Sequence, residues 1–160
     1  METKEIIKHA LKDYQNITGL RSYVVYDNTV IQSASEKNYF CKCLKSSSKA
    51  LKKCEECTEE TYENARKIDH ECVYSCHAGL IKWAVPVQRG DFHCVIVSEG
   101  VLAMKQMEDA DKWAKYLSRE YQLDESMLLK NFKVIQTMDE DQMNASIELL
   151  KDCLLYTSDA

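Results

Sequence analysis

The segment from residue 71 to 103 most constrains the fold, because it is rich in β-branched and aromatic residues. It contains the runs "CVYSC", "IKWAVPV" and "FHCVIVSEGVLA", and "RGD" between the last two predicts a hairpin turn. Two shorter runs, "SYVVYD" and "TVIQS", predict another strand pair around Asn28 nearer the N-terminus. Helical patterns occupy the rest, so strands and helices do not alternate regularly. We therefore predict an α+β fold, an antiparallel sheet flanked by helices.

Apolar residues recur with helical spacing in three stretches outside these strands. The stripes are Ile6, Ile7, Ala10, Leu11 and Tyr14; Ala110, Trp113, Ala114, Leu117 and Tyr121; and Met143, Ile147 and Leu150. We expect Gly19 to end the first helix. Further helices are predicted on both sides of a serine-rich break at residues 46–48. The 160 residues are enough for one domain with a sizeable core.

Charge and composition argue against several classes of function. The net charge of −5 and the absence of a Lys/Arg-rich run leave no basic face for nucleic acid. The N-terminus lacks the apolar core of a signal peptide, and no apolar run approaches the roughly 20 residues that span a bilayer. With four glycines and no phosphate-binding loop, nucleotide chemistry has little support. We expect a cytoplasmic protein.

The last eight residues, "CLLYTSDA", fit no amphipathic pattern and resemble a translated sequencing adapter. We therefore predict one folded domain over residues 1–152 and a non-native, dispensable tail over residues 153–160. On that interpretation the natural protein continues past Asp152.

Seven other cysteines fall as Cys41 and Cys43, Cys54 and Cys57, Cys72 and Cys76, with Cys94 alone. Disulfides are not expected in a reducing compartment, which leaves metal ligands, redox thiols or buried apolar thiols. Cys54 and Cys57, three residues apart on a predicted helix, share a face. Cys76 and His77 can act together only if the strand ends there. We expect Cys94, inside an apolar run, to be a core thiol.

Neither a redox motif nor a catalytic site is well supported. "CEEC" has dithiol spacing but sits mid-helix beside acids that raise thiol pKa values. No general base or paired carboxylates accompany the cysteines, so we expect no enzyme activity.

The motifs "NYFCKCLKSS", then Cys54, then "YSCHAGLIKWAVPV" and a hairpin leading to "EGVLA" resemble the PocR sensory domain. This family is related to PAS folds and occurs in prokaryotic signalling proteins. The resemblance covers roughly residues 3–152. It implies a PAS-like module that senses a small hydrocarbon derivative, such as a diol or alcohol. It also implies a missing output domain, a histidine kinase or an AraC-type DNA-binding domain, and is compatible with a homodimer.

By position, the resemblance matches Cys41, Cys54 and Cys76, with His77 and Gly79 beside the last. The chain departs from the family pattern at several positions, which are Cys43, Cys57 and Cys72 as additional cysteines, and Asn28 and Cys94 where glycine is usual. Ligand identity is therefore not transferred.

Two site predictions follow. The first is an apolar cavity between the sheet and its helices, lined by some of Tyr23, Tyr74, Trp83 and Glu99. The second is a convergence of Cys41, Cys54 and Cys76, with His77 or Cys57 as fourth member, that holds zinc or an iron–sulfur cluster. A metal- or cluster-based redox or gas sensor is thus the alternative to a ligand sensor. Plain thiols lining an apolar pocket are the remaining interpretation.

Overall fold

The computed structural model describes residues 2–26, 29–31 and 39–158, with side chains described over 2–26 and 39–154. The helices are α1 (Thr3–Thr18), α2 (Tyr39–Leu44), α3 (Ser48–Ile68), α4 (Met104–Glu108), α5 (Ala110–Tyr121), α6 (Glu125–Phe132) and α7 (Glu140–Ser158). The strands are β1 (Ser22–Tyr26), β2 (Thr29–Ile31), β3 (Cys72–Ser75), β4 (Ile81–Arg89) and β5 (Phe92–Ser98).

The strands form one antiparallel sheet in the order β2-β1-β5-β4-β3. The predicted α+β, PAS-like class is confirmed, and the order of elements is the predicted one. The turn at Gly90 and Asp91 joins β4 to β5, where "RGD" predicted it. The predicted turn at Asn28 lies outside the described residues.

Local signals explain several boundaries. Gly19 ends α1 in the left-handed region, at φ +78°, where its amide donates to the Gln15 carbonyl. Ser47, in the serine-rich break, caps α3 by accepting a hydrogen bond from the Ala50 amide at 3.2 Å. β3 pairs only with residues 81–84 of β4, so Pro86 lies beyond the end of that pairing.

One face of the sheet packs against α1 and α7, and we call it the closed face. Trp83 and Tyr14 are completely buried there, and the Trp83 indole N–H donates to the Tyr14 hydroxyl at 3.1 Å. The Tyr14 and Ser98 hydroxyls are hydrogen bonded at 3.0 Å. Cys94 is 1% exposed within the same cluster, which confirms the expected core thiol. Every polar group in this interior trio has a partner, as buried polar atoms require.

The opposite face packs against α3, and we call it the α3 face. Its apolar part is small and consists of Val25, Tyr62, Ala65, Ala84, Val95 and Val97, with Tyr23 and Tyr74 packed at its edge. A third cluster joins α2, α5 and α6 to the turn after β3, through residues such as Phe40, Leu117, Phe132 and Leu80. Cys41, Cys43, Cys54 and Cys76 pack against this third cluster.

The segment predicted to be a tail continues α7. Leu154 is 4% exposed and belongs to the closed-face core, and Cys153 packs against that core. This burial indicates that at least the first part of 153–160 contributes to packing.

Candidate functional site

Lys82 is the central charged group of the α3 face. It is the second residue of β4, and antiparallel pairing sets it opposite Tyr74 of β3. Its ammonium donates a hydrogen bond to the Tyr23 hydroxyl at 2.5 Å and lies 4.8 Å from the centre of the Tyr23 ring. Across the described part of the chain, no carboxylate forms an ion pair with it.

The neighbours of Lys82 keep it charged. Burial disfavours the ammonium, but Tyr23, Tyr74 and Cys76 outweigh that effect and hold the pKa of Lys82 well above its ordinary value. Burial raises the pKa of Tyr74, because it disfavours the phenolate. The Tyr74 hydroxyl is hydrogen bonded to the Thr61 side chain of α3. The site therefore contains one cation, Lys82, beside the hydroxyl groups of Tyr23 and Tyr74.

A hydrogen-bonded chain connects α3 to α5 beside this cation. Cys54 Sγ lies 3.0 Å from His77 Nε2, and His77 Nδ1 lies 2.9 Å from the Tyr121 hydroxyl. Burial raises the pKa of Cys54 to about 11, so the thiol is protonated at neutral pH. Burial first, and then the charges of Lys53 and Lys82, lower the pKa of His77.

These protonation states assign the hydrogen atoms of the chain. A protonated Cys54 thiol donates to His77 Nε2, and the neutral imidazole then carries its proton on Nδ1 and donates it to the Tyr121 oxygen. Each ring nitrogen of His77 is thus already used. The arrangement fixes the imidazole between two helices.

The turn after β3 brings further thiols to the same place. β3 ends at Ser75, which meets the condition under which Cys76 and His77 act together. Burial raises the pKa of Cys57 and the His77 backbone lowers it by a smaller amount, and Cys76 interacts electrostatically with both Cys54 and Cys57. Cys54 and Cys57 share one side of α3, as their spacing predicted. The Cys-His-Ala-Gly-Leu motif therefore delivers an imidazole and a thiol to the edge of the α3 face.

The close packing of this turn explains its glycine. Gly79 has a φ of +89°, and a Cβ atom there would lie 2.9 Å from Trp113 Cζ2. The Trp113 indole N–H donates to the carbonyl oxygen of Ala78. The glycine lets α5 approach the turn that carries His77.

The predicted metal ligands lie in one region. Cys41, Cys54 and Cys76 are all partly buried against the third cluster, together with Cys43. Within residues 2–26, 29–31 and 39–158, however, no three His, Cys, Asp or Glu side chains are arranged to hold a metal ion. The two nitrogens of His77 are directed at Cys54 and Tyr121 instead.

The four predicted ligand-binding residues lie at three places. Tyr23 and Tyr74 flank Lys82 on the α3 face. Trp83 points to the closed face, because successive side chains of a strand alternate. Glu99 accepts a hydrogen bond from the Arg21 amide at 2.9 Å and lines a separate cleft of about 250 Å³ with residues that include Asn131 and Gln136.

Three polar residues of the site were not predicted: Lys82, Thr61 and Tyr121. A signal existed for Lys82, since a lysine inside "IKWAVPV" interrupts an apolar strand and must face a special environment. Thr61 and Tyr121 carried no comparable signal, because both continue ordinary helical patterns.

A comparison with family models identifies the family of this chain. A family model described as the sensory domain found in PocR matches residues 3–160. The chain belongs to the PocR sensory domain family. No curated protein and no solved structure matched this PocR domain significantly. The family assigns a sensory module, and the α3 face is where this member gathers charged and polar groups.

No helix in the described part of the PocR domain is both long and apolar enough to cross a membrane.

Proposed function

We propose that this PocR domain is a non-enzymatic module that binds a small hydrocarbon derivative, diol- or alcohol-like, against the α3 face. The observation that carries the proposal is the polar group formed by Lys82, Tyr23 and Tyr74 within an otherwise apolar surface. Ligand sites in proteins combine apolar walls with a few placed polar groups in this way. The thiols of Cys54 and Cys76 extend the same surface toward His77.

The chemistry of the three polar residues suits hydroxyl groups. A ligand hydroxyl both donates and accepts, so it can accept from the Lys82 ammonium and donate to a tyrosine oxygen. The partly buried rings of Tyr23 and Tyr74 supply apolar surface for the carbon atoms of such a ligand, and both rings pack against the buried cluster of the α3 face. Lys82 has one hydrogen-bond acceptor, Tyr23, among the described residues, which leaves ammonium protons for a ligand.

Signal output would pass through α1 and α7, which pack on the other side of the same sheet. A ligand that shifts β4 moves Lys82 and Trp83 together, and Trp83 contacts the closed-face core beneath these helices. We propose that the protein is cytoplasmic and that α7 transmits the signal to a kinase or DNA-binding output domain. A homodimer is compatible with this role.

Thermal unfolding with short diols and alcohols tests the proposal. Binding raises Tm, since a ligand that binds only the folded state stabilises it. We expect propane-1,2-diol or a related compound to raise Tm of the wild type and to do so less in Tyr74→Phe. Tyr116→Phe, on the exposed side of α5, is the matched control. A panel of such compounds that leaves Tm unchanged argues against the proposal.

The second candidate function is a metal- or iron–sulfur-based redox or gas sensor. It is favoured by the proximity of Cys54, Cys57 and Cys76 to His77. Deprotonated thiolates in that set would suit zinc or a cluster. The described side chains would have to rearrange, because His77 now bonds Cys54 and Tyr121.

Metal analysis of anaerobically purified wild type and Cys54→Ala tests this second candidate. Bound zinc, or the brown colour of a cluster, that is lost in Cys54→Ala would support it. An equal, negligible metal content in both proteins would refute it.

A further inference from the structure

The Lys82 ammonium has an unusual electrostatic environment. Lysines that are largely buried in proteins are normally paired with a carboxylate. Here the groups that interact most strongly with the ammonium are two phenols and two thiols, from Tyr23, Tyr74, Cys76 and Cys41. None of the four is a carboxylate, so the hydrogen bond from the ammonium to Tyr23 solvates the cation without an acidic partner.

Other charges around the site have both signs. Lys45 interacts with Cys54, and Lys53 interacts with His77. Glu60 acts on Cys57, and Glu120 acts on Tyr121. The charge that favours a negative group at the Lys82 end of the site is therefore the Lys82 ammonium itself.

We infer that the ligand of this site carries a carboxylate, bound by the Lys82 ammonium and the Tyr23 and Tyr74 hydroxyls. This inference rests on the proposed function, since it names the chemical class of the ligand that the same face binds. It restricts the small hydrocarbon derivatives to short organic acids, including hydroxy acids.

The number of donors matches a carboxylate. The Lys82 ammonium has donors left after its bond to Tyr23, and each phenol can turn its own proton toward a ligand oxygen. A carboxylate offers two oxygens, each with two lone pairs, and one negative charge for one ammonium. A phosphate dianion would need a second cation in contact. The partly buried rings of Tyr23 and Tyr74 are the apolar surface nearest to a short hydrocarbon chain on that carboxylate.

Matched acids and alcohols of equal chain length separate this inference from the proposed function. Sodium acetate, propionate, butyrate and lactate are compared with ethanol, 1-propanol, 1-butanol and propane-1,2-diol, at constant ionic strength. Binding to the full 160-residue chain is measured by isothermal titration calorimetry and by the shift in Tm. The variants are Lys82→Met, Lys82→Arg and, as a matched control, Lys52→Met on the exposed side of α3.

We expect at least one acid to bind the wild type about tenfold more tightly than its matched alcohol, the effect of one charge-assisted bond. Lys82→Met should lose this preference, Lys82→Arg should retain part of it, and Lys52→Met should behave as wild type. If Lys82→Met does not fold, Lys82→Gln replaces it.

Two results would overturn the inference. Alcohols or diols that bind while every acid fails would refute the carboxylate and leave the proposed function standing. Acid binding that persists unchanged in Lys82→Met would refute the role of Lys82. Absence of binding by all eight compounds would count against both.

Discussion

The two faces of the sheet show opposite solutions to the burial of polar groups. On the closed face, the buried Tyr14 hydroxyl accepts a hydrogen bond from the Trp83 indole N–H and is hydrogen bonded to the Ser98 hydroxyl. On the α3 face, Lys82 is held by a single described hydrogen bond, to Tyr23. A fully satisfied polar group stabilises a unique packing, whereas a partly satisfied one has capacity left for a ligand.

Adjacent residues of one strand make this contrast. Lys82 and Trp83 are neighbours in β4, and the alternation of side chains sends them to opposite faces. The comparison implies that Trp83 serves stability and that Lys82 serves binding. Each prediction below would break or sharpen that division of roles.

The largest expected effect is on the closed face. Trp83→Ala should lower the free energy of unfolding by about 3–5 kcal/mol, because it leaves a large cavity and removes the indole N–H that donates to the Tyr14 hydroxyl. Lys82→Met should leave stability unchanged or raise it, because an unpaired charge is removed from a partly buried site. Urea denaturation measures both. If Lys82→Met lowers the free energy of unfolding as much as Trp83→Ala does, the division of roles between Trp83 and Lys82 is contradicted.

The next effect concerns the C-terminal end of the closed face. Leu154→Ala should lower the free energy of unfolding by about 2–4 kcal/mol, because Leu154 is buried against α1. Asp152→Ala, on the exposed side of α7, is the control. If Leu154→Ala changes nothing, the prediction that residues 153–160 are a dispensable tail gains support.

A smaller effect is expected where the site joins α5. Gly79→Ala should cost about 1–3 kcal/mol, because it combines a positive φ with a clash against Trp113. Gly90→Ala has a φ of +61° but open space around its Cβ, so it should cost about 1 kcal/mol. Equal losses in thermal or urea unfolding would show that the contact with Trp113 is unimportant.

The smallest effect is a pH dependence confined to the α3 side. Burial, Lys53 and Lys82 lower the pKa of His77 below its ordinary 6.5, so the folded protein binds fewer protons than the unfolded chain. The contribution of neutral His77 to the free energy of unfolding is therefore complete above pH 6.5. It is lost as the pH falls from 6.5 to the lowered pKa.

We expect the free energy of unfolding to fall over that interval in the wild type and to fall less in His77→Gln. His93→Gln, at an exposed position of β5, should show the same decrease of the free energy of unfolding with pH as the wild type. If the free energy of unfolding of His77→Gln depends on pH as in the wild type, this imidazole is not held neutral by the fold.

The sequence predicted those features that depend on local patterns. The order of helices and strands, the end of α1 at Gly19 and the shared side of Cys54 and Cys57 all follow from spacing and turn chemistry. The side of the sheet that Trp83 would face did not follow, because both faces are covered by helices. That choice depends on which helix packs on which face.

The centre of the site was also beyond local patterns. Tyr121 contacts His77 from 44 positions along the chain, and the Tyr23 hydroxyl reaches Lys82 from 59 positions away. Such contacts depend on the order of the strands within the sheet, which the spacing of residues along the chain does not encode. The convergence of Cys41, Cys54 and Cys76 stays a prediction from the family resemblance, whereas the bond of Cys54 to His77 required the structure.

A titration followed by two-dimensional ¹H–¹⁵N NMR spectroscopy tests the central claim most directly, namely that the α3 face is the binding face. Propionate and propane-1,2-diol are added separately to the ¹⁵N-labelled wild type. The account predicts the largest amide shift changes in β3, in residues 81–84 and along α3 near Cys54 and Cys57, with much smaller changes near Tyr14. Largest changes in α1 and α7, or around the Glu99 cleft, would contradict it.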